Sequence, residues 1–136
     1  MSVIIDGVYV GNKKARLKHE PSGTELLTVA PKDNFGDGSS FSPTDLVASA
    51  LGACMMLIMS IAGEREGMDL SGMRFRVEKE MTSAPRRIGK LTLELHLSGR
   101  LDAAQRERLD AVARECPVLR SIHPDVLVDA RFHYDA

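Results

Sequence analysis

From residue 46 to residue 62 the chain runs LVASALGACMMLIMSIA, 17 positions without a charge. Such a run leaves water either for a bilayer or for a protein core. Its length sits at the short limit for a spanning helix, and Ser49, Gly52 and Ser60 reduce its apolar content. Asp45, Glu64 and Glu66 flank it, with no one-sided excess of Lys or Arg to set an orientation. The expectation is therefore a helix apolar on all faces and buried in a core, with no membrane partner. Ser42 is a good N-cap, Pro43 suits the first turn, and Asp45 stands three residues after the cap. The helix should run to about Glu66, with Gly67 as its stop.

The flanking segments read mainly as strands. Residues 3–5, a turn at Asp6-Gly7, residues 8–10, residues 15–19, a turn at Pro21-Ser22-Gly23 and residues 25–29 form an antiparallel meander. Residues 31–41 read as an irregular loop long enough to carry function. Residues 74–81 and 90–98 alternate apolar and polar side chains and pair as a hairpin around Ser83-Ala84-Pro85. Asp102 and Gln105 make a capping box for a second helix. Leu101, Leu109, Val112 and Ala113 supply its apolar side, while Arg106, Glu107, Arg108 and Asp110 face water. Pro117 interrupts the helical run; a short helix over 117–122 and a strand over 126–134 follow. The order predicts an α+β fold with antiparallel sheet around a long buried helix, in one domain over 1–136. A chain of 136 residues buries roughly 68 % of its unfolded surface, enough for a core without disulfide staples.

Eighteen basic and 19 acidic side chains give a net charge of −1, which provides no general footprint for nucleic acid. No basic start followed by an apolar stretch marks a signal peptide, so a reducing, cytoplasmic setting is expected. There, two cysteines are free thiols, metal ligands or redox groups more often than a staple. Cys54 lies in the middle of the apolar helix, where an inert core residue is the plain alternative to a reactive one. Cys116 directly precedes Pro117, at an N-cap position whose N–H groups favour a thiolate; Arg114 and Arg120 add to this and Glu115 opposes it. A Cys that merely caps a turn is the alternative. With no CxxC, and with His19, His96, His123 and His133 scattered, no metal-ligand spacing is present. His96 and His133 read as surface or pairing residues on strands, and His123 as part of a turn. Lys13, Lys14, Arg16, Lys18 and His19 read as a solvated face, from which Arg16 could still reach a buried thiolate because Arg stays charged when desolvated. Met55, Met56 and Met59 fill a core or line a pliable apolar pocket.

Two stretches resemble a known family. FSPTDLVASALGACMMLIMSIAGEREGMDLSG resembles the central-helix region of the OsmC/Ohr proteins, and RECPVLRSIHPDV resembles their second Cys-Pro motif. The hairpin stretch RIGKLTLELHLSGRLDAAQRERLDAV stands between them, as in the family. The resemblance implies an OsmC-like fold and an intertwined homodimer with central helices inside and active sites at the interface. It implies a thiol-dependent peroxidase acting on organic hydroperoxides, reset by a dithiol reductant such as a dihydrolipoyl protein, with no cofactor. Cys54 matches the peroxidatic Cys and Cys116 the resolving Cys. Arg16 is the candidate for the Arg that holds the thiolate, with Lys18 as the substitute. One departure stands out: family members carry a Glu ten residues before the first Cys, and here that position is Thr44. Ten helical residues span ~15 Å, so position 44 could meet Cys54 only from a partner's antiparallel helix. Two other readings stay open, the first of them motivated by Thr44. One is a small-molecule-binding or redox-sensing module on the same fold without useful turnover; the other is a structural dimer with both Cys in the core.

Overall fold

The computed structural model describes residues 1–135, which form two compact units, residues 1–47 and a second beginning at Ala48. The first unit is an antiparallel sheet of β1 (Ile5–Gly11), β2 (Lys14–His19) and β3 (Glu25–Val29), in that order. The turn expected at Asp6-Gly7 is not formed. Both residues lie inside β1, paired with Lys18 and Leu17. The reversal comes later, at Asn12 and Lys13, whose φ of 53° and 60° make the two-residue turn that suits a twisted hairpin. Once that turn fixes the register, pairing carries β1 straight through Gly7. Val29 is buried, whereas Val8 is 61 % and Tyr9 72 % exposed. The 31–41 loop holds one 3-10 turn, Lys32–Asn34, followed by the exposed Phe35 in a left-handed conformation (φ 68°). A Lys14–Asp37 ion pair of 3.4 Å ties this loop to β2.

The long helix α1 runs Pro43–Arg65. Ser42 Oγ accepts from the Asp45 N–H at 3.1 Å, and Asp45 Oδ2 accepts from the Ser42 N–H at 2.9 Å, a reciprocal cap. At the other end Gly67 takes φ 71° and the Met68 N–H donates to the Gly63 carbonyl at 2.8 Å, the closing bond of a Schellman cap.

The second unit packs one stripe of α1 on a sheet of β4 (Arg74–Ser83), β5 (Arg86–Leu97) and β6 (Leu127–Tyr134). Leu51, Met55 and Met59 from the helix join Leu91, Leu93, Leu95 and Leu97 from β5 in a fully buried core. Gly52 makes the close approach possible: a Cβ there would stand 2.3 Å from the Phe75 ring. The helix is not enclosed on all faces, contrary to the sequence expectation. One sheet covers one side of a helix, so Leu57 (58 %) and Ile61 (51 %) stay exposed in the single chain. By length and composition alone α1 is also apolar enough to cross a bilayer.

Two further expectations change. The sheet is mixed, because β6 runs parallel to β5, from Lys90 beside Leu127 to Leu97 beside Tyr134. The intervening helices α2 (Ala103–Ala113) and α3 (Pro117–Ser121) provide the crossover that a parallel pair needs. Strand β5 also begins four residues earlier than its alternation suggests. Glu80 pairs with Lys90 but Met81 with Ile88, so Gly89 is the extra residue of a bulge that hides the pattern. Helix α2 opens as expected, with Asp102 and Gln105 exchanging bonds of 2.8 and 2.9 Å. Arg106 does not simply face water: it lies 4.8 Å over the Tyr134 ring and donates to the Leu101 and Gly99 carbonyls.

Candidate active site

The second unit brings together two thiols that stand far apart in the sequence. Cys54 sits on the flank of α1, between the packed stripe and the open face, and is half-buried. Cys116 arrives from the corner between α2 and α3. Pro117 starts α3, which leaves Cys116 extended (φ −54°, ψ 127°) as its N-cap, with Sγ turned into the core. It has no exposed surface and packs in the same cluster as Leu51, Met55, Leu109 and Ala113. The two thiols stand close enough for Cys54 to perturb Cys116, and both are free rather than disulfide-bonded.

Burial raises the Cys116 thiol above its ordinary value, and the neighbouring Cys54 raises it further. The N–H groups of Leu119, 3.5 Å from Sγ, and of Val118 pull the other way without prevailing. This corrects the expectation that the helix end makes Cys116 the acidic thiol. One turn of helix supplies a small dipole against complete desolvation. The cations assigned to it are also turned elsewhere: Arg114 pairs with Asp110 at 2.6 Å and lies over Phe132, and Arg120 is exposed. Cys116 therefore holds its proton to higher pH than an ordinary thiol. The N-cap position expected for Cys116 is formed, with the Leu119 N–H donating to its sulfur.

Arg16 belongs to the first unit, exposed on β2. Its register neighbours are Val8 and Leu27, both apolar. Lys18 instead lies between Asp6 and Glu25 on the adjacent strands, so carboxylates stand at both of its pairing positions. Thr44 Oγ1 is 3.1 Å from Ser42 Oγ within the α1 cap, and the adjacent Asp45 carboxylate caps the Ser42 N–H. His96 and His133 are register partners whose rings stack at 4.7 Å, beside Asp135 and Glu94. His123 Nδ1 accepts from the Asp125 N–H in a turn. Among the described residues no group of three or more His, Cys, Asp or Glu is arranged to hold a metal ion.

The family model of the OsmC-like proteins matches residues 36–131, which take in α1 and both cysteines. The chain belongs to the OsmC-like protein family. No curated protein sequence matches it. Among solved structures, a Psychrobacter arcticus protein named for osmotic stress induction and a detoxification response is 34 % identical, with a TM-score of 0.90 over 95 % of this chain and 94 % of that one. An organic hydroperoxide resistance protein OsmC of Legionella pneumophila is 20 % identical, with a TM-score of 0.78 over 98 % and 97 %. The organic hydroperoxide resistance protein OhrB of Bacillus subtilis is 17 % identical, with a TM-score of 0.69 over 97 % and 98 %. The latter two share the fold of this OsmC-like chain. The α+β architecture inferred from its sequence is thus the family's own.

Proposed function

We propose that this OsmC-like chain is a thiol-dependent peroxidase that reduces organic hydroperoxides in the cytoplasm. The observation that carries the reading is the juxtaposition of Cys54 and Cys116, with one thiol half-buried and the other fully buried. The Cys54 thiolate attacks the terminal oxygen of ROOH, the O–O bond breaks, and RO⁻ takes a proton and leaves as ROH. Cys54 is now a sulfenic acid. The Cys116 sulfur attacks it, the S–S bond forms and water departs, which protects Cys54 from further oxidation. A dithiol reductant, such as a dihydrolipoyl protein, then resets the pair. All of this is sulfur chemistry and needs no metal or bound cofactor. A thiolate beside apolar helix surface needs a cation, and Arg16 is the candidate: it stays charged on desolvation and has no carboxylate at its pairing positions. Apolar Leu57, Ile58 and Ile61 near Cys54 on α1 favour an organic substituent over hydrogen peroxide. The exposure of Leu57 and Ile61 also supports a homodimer in which a second copy covers this face.

The test is intact-mass and peptide mass spectrometry after a brief, stoichiometric dose of cumene hydroperoxide, with hydrogen peroxide in parallel. The expected result is rapid loss of two hydrogens, mapped to a Cys54–Cys116 disulfide and faster with the organic peroxide. Thiols that stay reduced, or oxidise slowly and separately, overturn the proposal and leave a binding or sensing module.

A further inference from the structure

We propose that the reductant opens the Cys54–Cys116 disulfide by attacking Cys54, so that Cys116 leaves into its buried cap; this rests on the peroxidase reading above. Thiol exchange needs the incoming sulfur in line behind the sulfur it attacks, so access to each sulfur governs which one reacts. Cys116 has no exposed surface in the second unit and lies in the same buried core cluster as Leu51, Met55, Leu109 and Ala113. Cys54 is half-buried on the flank of α1. The peroxide has to reach Cys54 in the assembled protein, so the opening that admits ROOH also admits a slender thiol. Nothing in the first half of the cycle requires a path to Cys116.

Leaving-group chemistry favours the opposite choice, because the thiol held at the higher pKa is the poorer leaving group. Access outweighs it: a rate difference between leaving groups matters only where both sulfurs can be approached. The cap also lessens the handicap, since the Leu119 N–H already points at Cys116 Sγ and receives the charge that develops there.

The steps balance as follows. One thiolate of the dithiol attacks Cys54 Sγ, a new S–S bond joins reductant to Cys54, and the Cys54–Cys116 bond breaks. Its electron pair goes to Cys116, which takes up a proton. The second thiol of the reductant, deprotonated, attacks its own linked sulfur and expels Cys54 as thiolate. The dithiol ends as a disulfide and the protein has gained two electrons.

A monothiol stops this sequence half-way. The native protein is oxidised to its disulfide with diamide, exposed briefly to 2-mercaptoethanol, quenched in acid, denatured and alkylated, and its peptides are mapped. The expected outcome is a mercaptoethanol adduct on Cys54 and an alkylated Cys116, in at least roughly tenfold excess over the reverse. An adduct on Cys116, or equal adducts on both, overturns the inference. Native Cys116→Ser and Cys54→Ser proteins give a second reading that needs no disulfide. Iodoacetamide should modify Cys54 in the first at least roughly ten times faster than Cys116 in the second; equal rates overturn the inference as well. A disulfide that forms with diamide but not with cumene hydroperoxide defeats the peroxidase reading and leaves the exchange result intact.

Discussion

At the scale of single residues, Cys54 and Cys116 are chemically alike and differ in their surroundings. If Cys54 is the attacking sulfur of the proposed cycle, Cys54→Ser should abolish consumption of cumene hydroperoxide. Cys116→Ser should allow one oxidation per chain and then stall, so a burst assay shows about one equivalent consumed without steady turnover. Equal, sustained turnover by both variants contradicts the assignment. The raised Cys116 thiol also makes stability depend on pH. In the unfolded chain this thiol releases its proton at the ordinary value, while the folded chain holds it to higher pH. Above the ordinary value the unfolded state binds fewer protons, so stability is fully present below the ordinary value and falls as pH rises from there through the folded value. Denaturant midpoints of the reduced protein should drop across alkaline pH, and Cys116→Ala should flatten that drop. An identical slope in both proteins rules this out. Both thiols were legible in the sequence as candidates, and the N-cap of Cys116 as well. The direction of its pKa was not, because the core cluster in which it is buried also draws on α1 and β5, residues distant in the chain such as Leu51 and Leu93.

At the scale of elements, what was legible is what neighbours in sequence decide. The caps of α1 and α2 use side chains within three residues of each other, and both appear where the sequence placed them. Ser42→Ala removes the oxygen that accepts the Asp45 N–H and should cost roughly 1 kcal/mol. The check is a lower urea midpoint with an unchanged slope; an unchanged midpoint shows that the cap contributes nothing. Gly52→Ala acts between elements. Its Cβ would meet the Phe75 ring at 2.3 Å, so helix and sheet must part or the ring must move. A cost of about 1–3 kcal/mol is expected from such overpacking, read in the same titration. The parallel pairing of β6 and the Gly89 bulge were not legible. Each depends on which strand lies alongside, and alternation within a strand is the same for parallel and antiparallel neighbours.

At the scale of the whole molecule, the uncharged run of 17 residues announced a helix without a polar face, and the second unit uses one stripe of it. The opposite surface carries Leu57 and Ile61, each more than half exposed. Such a surface is seldom left in water, and a symmetric pair covers the same patch on both copies at once. The first unit adds to the demand, since β1 exposes Val8 and Tyr9. Light scattering should therefore give a mass twice the 14.9 kDa of the chain. Leu57→Glu places a carboxylate where two helices would meet, and its desolvation opposes association far more than it perturbs a lone chain in which the site is open. The variant should fall to the mass of one chain or aggregate, while Leu127→Glu, a control at another exposed apolar position, should keep the wild-type mass. Wild-type protein at 14.9 kDa, or an Leu57→Glu protein that still doubles, would show that α1 does not form the dimer contact.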